Sequence, residues 1–279
     1  MQRRQFLQGA AFLAATQARP ILGANDRVNI GIVGKYFDTG DFMLSDAYIS
    51  VIEAIKFSCY KLGVRPNISW VNSKEFEGKK KTSSLNEYDG IIVPGGFGET
   101  GIEGKLKVIE HARKNKIPYF GLCYGMQLAV VEYARNVLKI RDAQTAEINA
   151  ASKNLIVDIM PEQKELLEKD QYGATMRLGR YPARLKEGTI AHKEYGTNRI
   201  NERHRHRYEI NPKYIERLEK GGLIFSGTSP NKKLMEIAEL SKSEHPFFLG
   251  TQFHPEFKAH PLSPHPLFTA FINASIQGK

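Results

Sequence analysis

The sequence predicts an α/β protein, a mostly parallel central sheet with helices on both faces. Three observations carry this expectation. Short apolar runs of strand length recur through the first half, from Val28–Val33 to Tyr119–Leu122. Segments with apolar residues at helical spacing separate them, and that alternation is the pattern of a parallel sheet with crossover helices. Two runs end in glycine turns, at Gly95-Gly96 and at Gly121 to Gly125. Such turns fall at the carboxyl ends of strands, where open parallel sheets collect ligands. The chain has 279 residues, 41% of them hydrophobic and 25% charged. That is the composition of a folded protein, with length enough for one large domain.

The first strand is Val28 to Val33, closed by Gly34, and a loop with Gly and Asp follows from Tyr36 to Asp41. A helix is expected from about Asp46 to Leu62, with Ile49, Ile52, Ile55 and Cys59 on its apolar face. Asn67 to Val71 is the second strand, and polar residues 73–87 read as a surface connection. Tyr88 to Gly96 is a strand running into a glycine turn, Glu103 to Asn115 a helix, Tyr119 to Leu122 a strand and Met126 to Val137 a helix. The second half is less regular. Leu155 to Ile159, Met176 to Leu185, Leu223 to Ser226, Leu234 to Ile237 and Phe247 to Phe253 read as strands, and Pro212 to Lys220 and Pro266 to Ile276 as helices. No linker divides residues 26–279.

Residues 1–25 differ from the rest. Arg3-Arg4-Gln5-Phe6-Leu7 precedes the small, apolar run Gly9 to Ala15. A twin-arginine export signal and a leader with no folded role both fit it. The run is too short to span a bilayer, and no membrane-spanning segment follows. The two cysteines, Cys59 and Cys123, make neither a disulfide framework nor a Cys₄ zinc site, and no metal site is expected. Cys59 reads as a buried core thiol. The net charge of +10 fits a solvated surface, an anionic ligand or an acidic partner.

The chemistry concentrates in two segments. Gly121-Leu122-Cys123-Tyr124-Gly125 is a G-x-C-x-G turn between a strand and a helix. Its glycines let the backbone bend tightly and the helix pack close, as in nucleophile elbows. A helix N-terminus aimed at Cys123 favours a thiolate. The Tyr124 N–H, with Gly96 as a second donor, is placed to hold a developing oxyanion. His254-Pro255-Glu256 supplies a general base and the carboxylate that orients it. In an extended strand, residues two apart share a face, so His254 and Glu256 would point the same way. Arg203 to Arg207 reads by itself as a phosphate or nucleic-acid patch, or as a charged loop.

Together these residues resemble the class I glutamine amidotransferase family. Gly95-Gly96-Phe97-Gly98, Gly121 to Gln127 and Gln252-Phe253-His254-Pro255-Glu256 look like its three landmarks. Gly34-Lys35-Tyr36, Ser45 to Ala54, Thr175 to Gly179, Glu202 to Glu209 and His265 to Phe268 look like the glutaminase domain of the CTP synthase family. The likeness covers about residues 28–276, so the chain divides into a leader, 1–25, and a glutamine amidotransferase domain, 26–279.

The resemblance implies glutamine hydrolysis through a thioester on Cys123, with His254 and Glu256 as partners. It implies glutamine contacts at Gly96, Tyr124, Gly125, Met126, Gln127, Glu147 and Arg207. It implies no cofactor in this chain, GTP as an activator, and ammonia delivered to a separate synthetase domain that uses ATP and Mg to aminate UTP. It implies a cytoplasmic location unless the leader directs export, and neither nucleic acid nor membrane as partner. A partner-dependent or non-catalytic binding module with the same fold is the alternative. Two departures stand out: Tyr124 occupies a position where the family more usually has Leu, and a short leader stands where a synthetase domain would be. The leader also resembles the start of secreted twin-arginine oxidoreductases. Gly34-Lys35-Tyr36-Phe37 lacks the G-x-G-x-x-G that an NAD site needs.

Overall fold

The computed structural model describes residues 26–34, 48–78, 80–96, 98, 100–159 and 176–278. The leader, the Tyr36 to Asp41 loop, Ser45 to Ala47 and Thr175 lie outside these residues.

The first half follows the predicted alternation. β1 (Arg27–Gly34), α1 (Ile49–Lys61), β2 (Arg65–Asn72), β3 (Gly90–Val93), α2 (Ile102–Lys114), β4 (Tyr119–Leu122) and α3 (Tyr124–Asn136) succeed one another. The stretch 73–87 is more than a surface connection. It forms two 3₁₀ turns, Ser73–Phe76 and Thr82–Glu87, which bury Phe76 and Leu85. α1 buries Ile52, Ile55 and Cys59 as expected, but Ile49, at its first position, is 51% exposed. Burial pushes the Cys59 thiol up to about 12, so it stays a protonated packing group.

The second half holds β5 (Ala143–Thr145), α4 (Ala146–Asn149), β6 (Asn154–Ile159), β7 (Arg177–Leu185), α5 (Ile190–Tyr195), β8 (Arg199–His206) and β9 (Tyr208–Ile210). α6 (Pro212–Lys220), β10 (Ile224–Thr228), β11 (Met235–Glu239), β12 (Phe248–Thr251) and α7 (Pro266–Gln277) complete it.

Among the described residues, nine strands form one sheet in the order β2-β1-β3-β4-β12-β11-β10-β7-β8. The pairs from β2 to β12 are parallel and those from β12 to β8 antiparallel. The expected parallel sheet is thus one half of a mixed one. β5, β6 and β9 form a small second sheet.

The central strands are apolar on both faces, as buried parallel strands are. On one face, Ile30, Ile32, Phe120 and Leu249 pack with Val51, Ile55, Phe268 and Phe271 of α1 and α7. On the other, Ile91, Val93 and Tyr119 pack with Leu106, Ile109, Leu128 and Val131 of α2 and α3. Arg113 of α2 forks onto Glu132 of α3 at 2.8 and 2.6 Å, and Glu132 is fully buried.

β8 is the principal departure from the sequence reading. Arg203 to Arg207, read as a patch or loop, belongs largely to this strand. Its burial alternates strictly: Ile200, Glu202, His204 and His206 inward, Arg199, Asn201, Arg203 and Arg205 outward. The inward residues are mostly polar, so period-two patterning carried no hydrophobic signal.

Candidate active site

Cys123 sits between β4 and α3 with φ 51° and ψ −100°. This is a positive-φ conformation that costs a non-glycine residue energy, and such strain gathers at functional turns. The flanking glycines make the turn fit. A Cβ on Gly121 would stand 2.7 Å from the Gly125 carbonyl carbon, and one on Gly125 would run into the Val93 carbonyl oxygen. The Cys123 N–H bonds to Thr251 O of β12 at 2.6 Å. The turn is therefore tied to the strand that leads into His254.

His254 and Glu256 do not share a strand face. β12 ends at Thr251, and Pro255 opens a 3₁₀ turn over Pro255–Lys258. Proline, with its fixed φ and missing N–H, suits the first position of such a turn. The turn folds the carboxylate back onto the ring, and His254 Nδ1 and Glu256 Oε1 lie 2.6 Å apart. Phe257 stacks on the imidazole at 5.0 Å. Burial pulls the His254 imidazole pKa down. The Glu256 carboxylate and the Cys123 sulfur outweigh that and hold it well above its ordinary value. Nε2 is buried and makes no hydrogen bond among the described residues. A Cβ placed on Gly95 would stand 2.8 Å from His254 Cε1 and 3.7 Å from Cys123 Cβ. Thiol and imidazole therefore flank one point, which only a glycine leaves open.

The remaining predicted residues fall around this pair. Gly96 is half-buried, with nothing within 4 Å of where a Cβ would be. Tyr124, Gly125, Met126 and Gln127 are the first turn of α3, whose leading N–H groups have no partner within the helix. The Met126 side chain is fully buried under Gly250, so only its main chain can face the turn. The Tyr124 hydroxyl donates to Gly98 O at 3.3 Å, a bond that a Leu could not make. Glu147 of α4 accepts from the Gly98 N–H at 2.9 Å. Arg207, between β8 and β9, is half-buried and its Nε meets no acceptor among the described residues. Burial raises the Tyr208 pKa, with Glu147 and Arg207 near enough to act on it in opposite directions. A cation and a carboxylate therefore both lie close to the Tyr208 ring.

Sequence reasoning missed two groups here. Gln252 is fully buried, with Nε2 3.8 Å from Cys123 Sγ. Arg205 O lies 3.9 Å from the same sulfur, and Arg203 O accepts the His254 N–H at 2.8 Å, so the β8 main chain walls the site. Behind it, His204 and His206 lie 3.0 Å apart, with Arg177 2.8 Å from Glu236. Burial, then the charges of neighbouring groups, lowers His204 to about 3 and His206 well below its usual range. The alternating polar string of β8 was the signal that could have revealed this layer. Among the described residues no cluster of His, Cys, Asp and Glu is arranged to hold a metal, and no helix is long and apolar enough to cross a membrane.

Comparison with known proteins bears on the family of this chain. A family model, Glutamine amidotransferase class-I, matches residues 43–274. The CTP synthase of Carboxydothermus hydrogenoformans is 52% identical over 250 residues, 90% of this chain and 45% of that protein. That of Methanocaldococcus jannaschii is 47% identical over 265 residues, 93% of this chain and 47% of that one. The chain thus spans a little under half the length of these relatives. The Trypanosoma brucei CTPS glutaminase domain, solved with acivicin bound, matches with a TM-score of 0.80 at 38% identity, covering 90% of this chain and 94% of that one. A sequence match over most of the chain and a structural match over nearly the whole of a glutaminase domain lead to one conclusion: the chain belongs to the class I glutamine amidotransferase family.

Proposed function

We propose that this chain is a glutaminase of CTP-synthase type, which releases ammonia from glutamine through a thioester on Cys123. The observation that carries the reading is the strained Cys123 turn facing the buried His254–Glu256 pair across Gly95.

The Cys123 thiolate adds to the glutamine carboxamide carbon, and the oxyanion is held by the Tyr124 N–H with Gly96 as second donor. His254 gives its proton to the departing nitrogen, so ammonia leaves and a γ-glutamyl thioester remains. The neutral imidazole then takes a proton from water, hydroxide adds to the thioester, and glutamate departs as the thiolate re-forms. Arg207 holds the substrate carboxylate and Glu147 its ammonium. Gln127 offers Oε1 to the substrate, its Nε2 being engaged by the protein.

Glutamate release from glutamine tests the reading. Cys123→Ala is expected to remove it entirely, and equal release by both proteins would refute it. Acivicin, bound by the Trypanosoma brucei domain, is expected to bind here and to compete with glutamine. GTP is the proposed activator. A separate synthetase domain, acting with ATP and Mg on UTP, is the proposed ammonia acceptor. Adding both to the assay reads any dependence on partners as a rise in turnover.

A further inference from the structure

The buried amide of Gln252 has no part in the mechanism so far, yet its nitrogen lies 3.8 Å from the sulfur of Cys123. Its orientation is fixed by bonding logic. Tyr208 O is an acceptor only, so the Gln127 group facing it at 3.0 Å must be the NH₂. The second hydrogen of that NH₂ goes to Gln252 at 3.2 Å, so Gln252 must present its carbonyl oxygen there. The opposite end of the Gln252 amide, the NH₂, then faces Cys123 Sγ at 3.8 Å. The Gln252 main chain is anchored too, its N–H bonding to Glu236 O at 2.8 Å.

We infer that Gln252 is a thiolate-stabilising catalytic residue, with Gln127 as the positioning residue that orients its amide toward Cys123. An N–H···S contact is weak while sulfur is a thiol and strengthens when it carries charge, as charge-assisted hydrogen bonds do. The amide therefore favours the ionised form over the neutral one. It opposes the Arg205 carbonyl, which at 3.9 Å accepts from the thiol and repels the thiolate. The other groups acting on the sulfur are His254, carried by the turn after β12 and paired with Glu256, and the N-terminus of α3. His204 and His206, behind the β8 wall, are held neutral by burial and neighbouring charge. Gln252 thus supplies a donor that carries no proton of its own to lose over the working pH range.

The test is the pH dependence of Cys123 alkylation by iodoacetamide, which needs neither glutamine nor turnover. Failure of this inference is therefore distinct from failure of the glutaminase reading. Cys59 is buried, and a Cys59→Ala background removes it from the signal. Gln252→Met keeps the volume and removes the donor. Its alkylation midpoint is expected to rise by about 0.5–1 pH unit, roughly a three- to tenfold smaller thiolate fraction below the midpoint. Gln127→Met is expected to shift it in the same direction by less, and Gln252→Glu by more. A measurement on the wild-type fold covers the case in which these variants misfold. In ¹⁵N-labelled protein, the Gln252 side-chain NH₂ resonances, assigned by selective labelling, are expected to move with the same midpoint as alkylation. Midpoints of natively folded Gln252→Met and wild type that coincide, or amide resonances that ignore ionisation of Cys123, would overturn the inference.

Discussion

At the scale of single residues, the site depends on which protons stay in place. Burial of the ring lowers the His254 pKa, and Glu256, 2.6 Å away, together with the Cys123 sulfur outweighs that and raises it well above its ordinary value. A raised imidazole pKa means the charged form persists as pH rises and is lost only when pH passes the folded value. The proposed reaction needs that proton for the leaving nitrogen, so the alkaline limb of kcat/KM reports His254. Glu256→Gln is expected to move this limb to lower pH and reduce kcat roughly 100-fold, the range of general acid–base contributions. A pH–rate profile checks both, and an unmoved limb would mean that Glu256 does not govern the ring. Cys123, His254 and Glu256 were legible in the sequence because motif spacing fixed them. Gln252 was not, because nothing in a sequence says which way a buried amide faces until Gln127 and Tyr208 are placed beside it.

At the scale of elements, the strand-to-helix turn trades stability for holding the Cys123 side chain beside Gly95 and His254. The φ of 51° at Cys123 belongs to a region whose cost to a non-glycine residue is about 1–3 kcal/mol. Cys123→Gly is therefore expected to unfold at higher urea than Cys123→Ala, by about 1 kcal/mol in free energy. Equal midpoints would mean the turn is relaxed. On the next helix pair, Arg113→Met strips Glu132 of its forked partner in a fully buried position. The Asn136 amide still donates to Glu132 at 3.0 Å, and a loss of about 3 kcal/mol is expected, as for a buried charge stripped of its ion-pair partner, again read from urea unfolding. The alternating strands and helices of the first half were legible because their two apolar faces meet two layers of helices. β8 was not, because its inward positions hold Glu202, His204 and His206, and a polar interior looks like a loop until its partners are known. The 3₁₀ turn at Pro255 likewise overrode the strand geometry expected for His254 and Glu256.

At the scale of the molecule, the two halves of the site come from distant parts of the chain and meet at the middle of the sheet. β12 lies between β4 and β11, and joins the parallel half to the antiparallel half. A chain ending at Pro246 lacks that strand and α7, and so loses the sheet's centre and one packing layer. It is expected to show no cooperative thermal transition and no near-ultraviolet dichroism, whereas a native-like melt would show that the halves fold independently. The placement of β12 also bears on synthesis at the ribosome. Cys123 is synthesised well before β12, the strand that ties its turn down, and before His254, which faces it. Long-range pairings of this kind form late and slowly. A nascent chain that has not yet reached β12 therefore lacks both the tie and the facing imidazole, and the Cys123 site assembles only once that strand has been made.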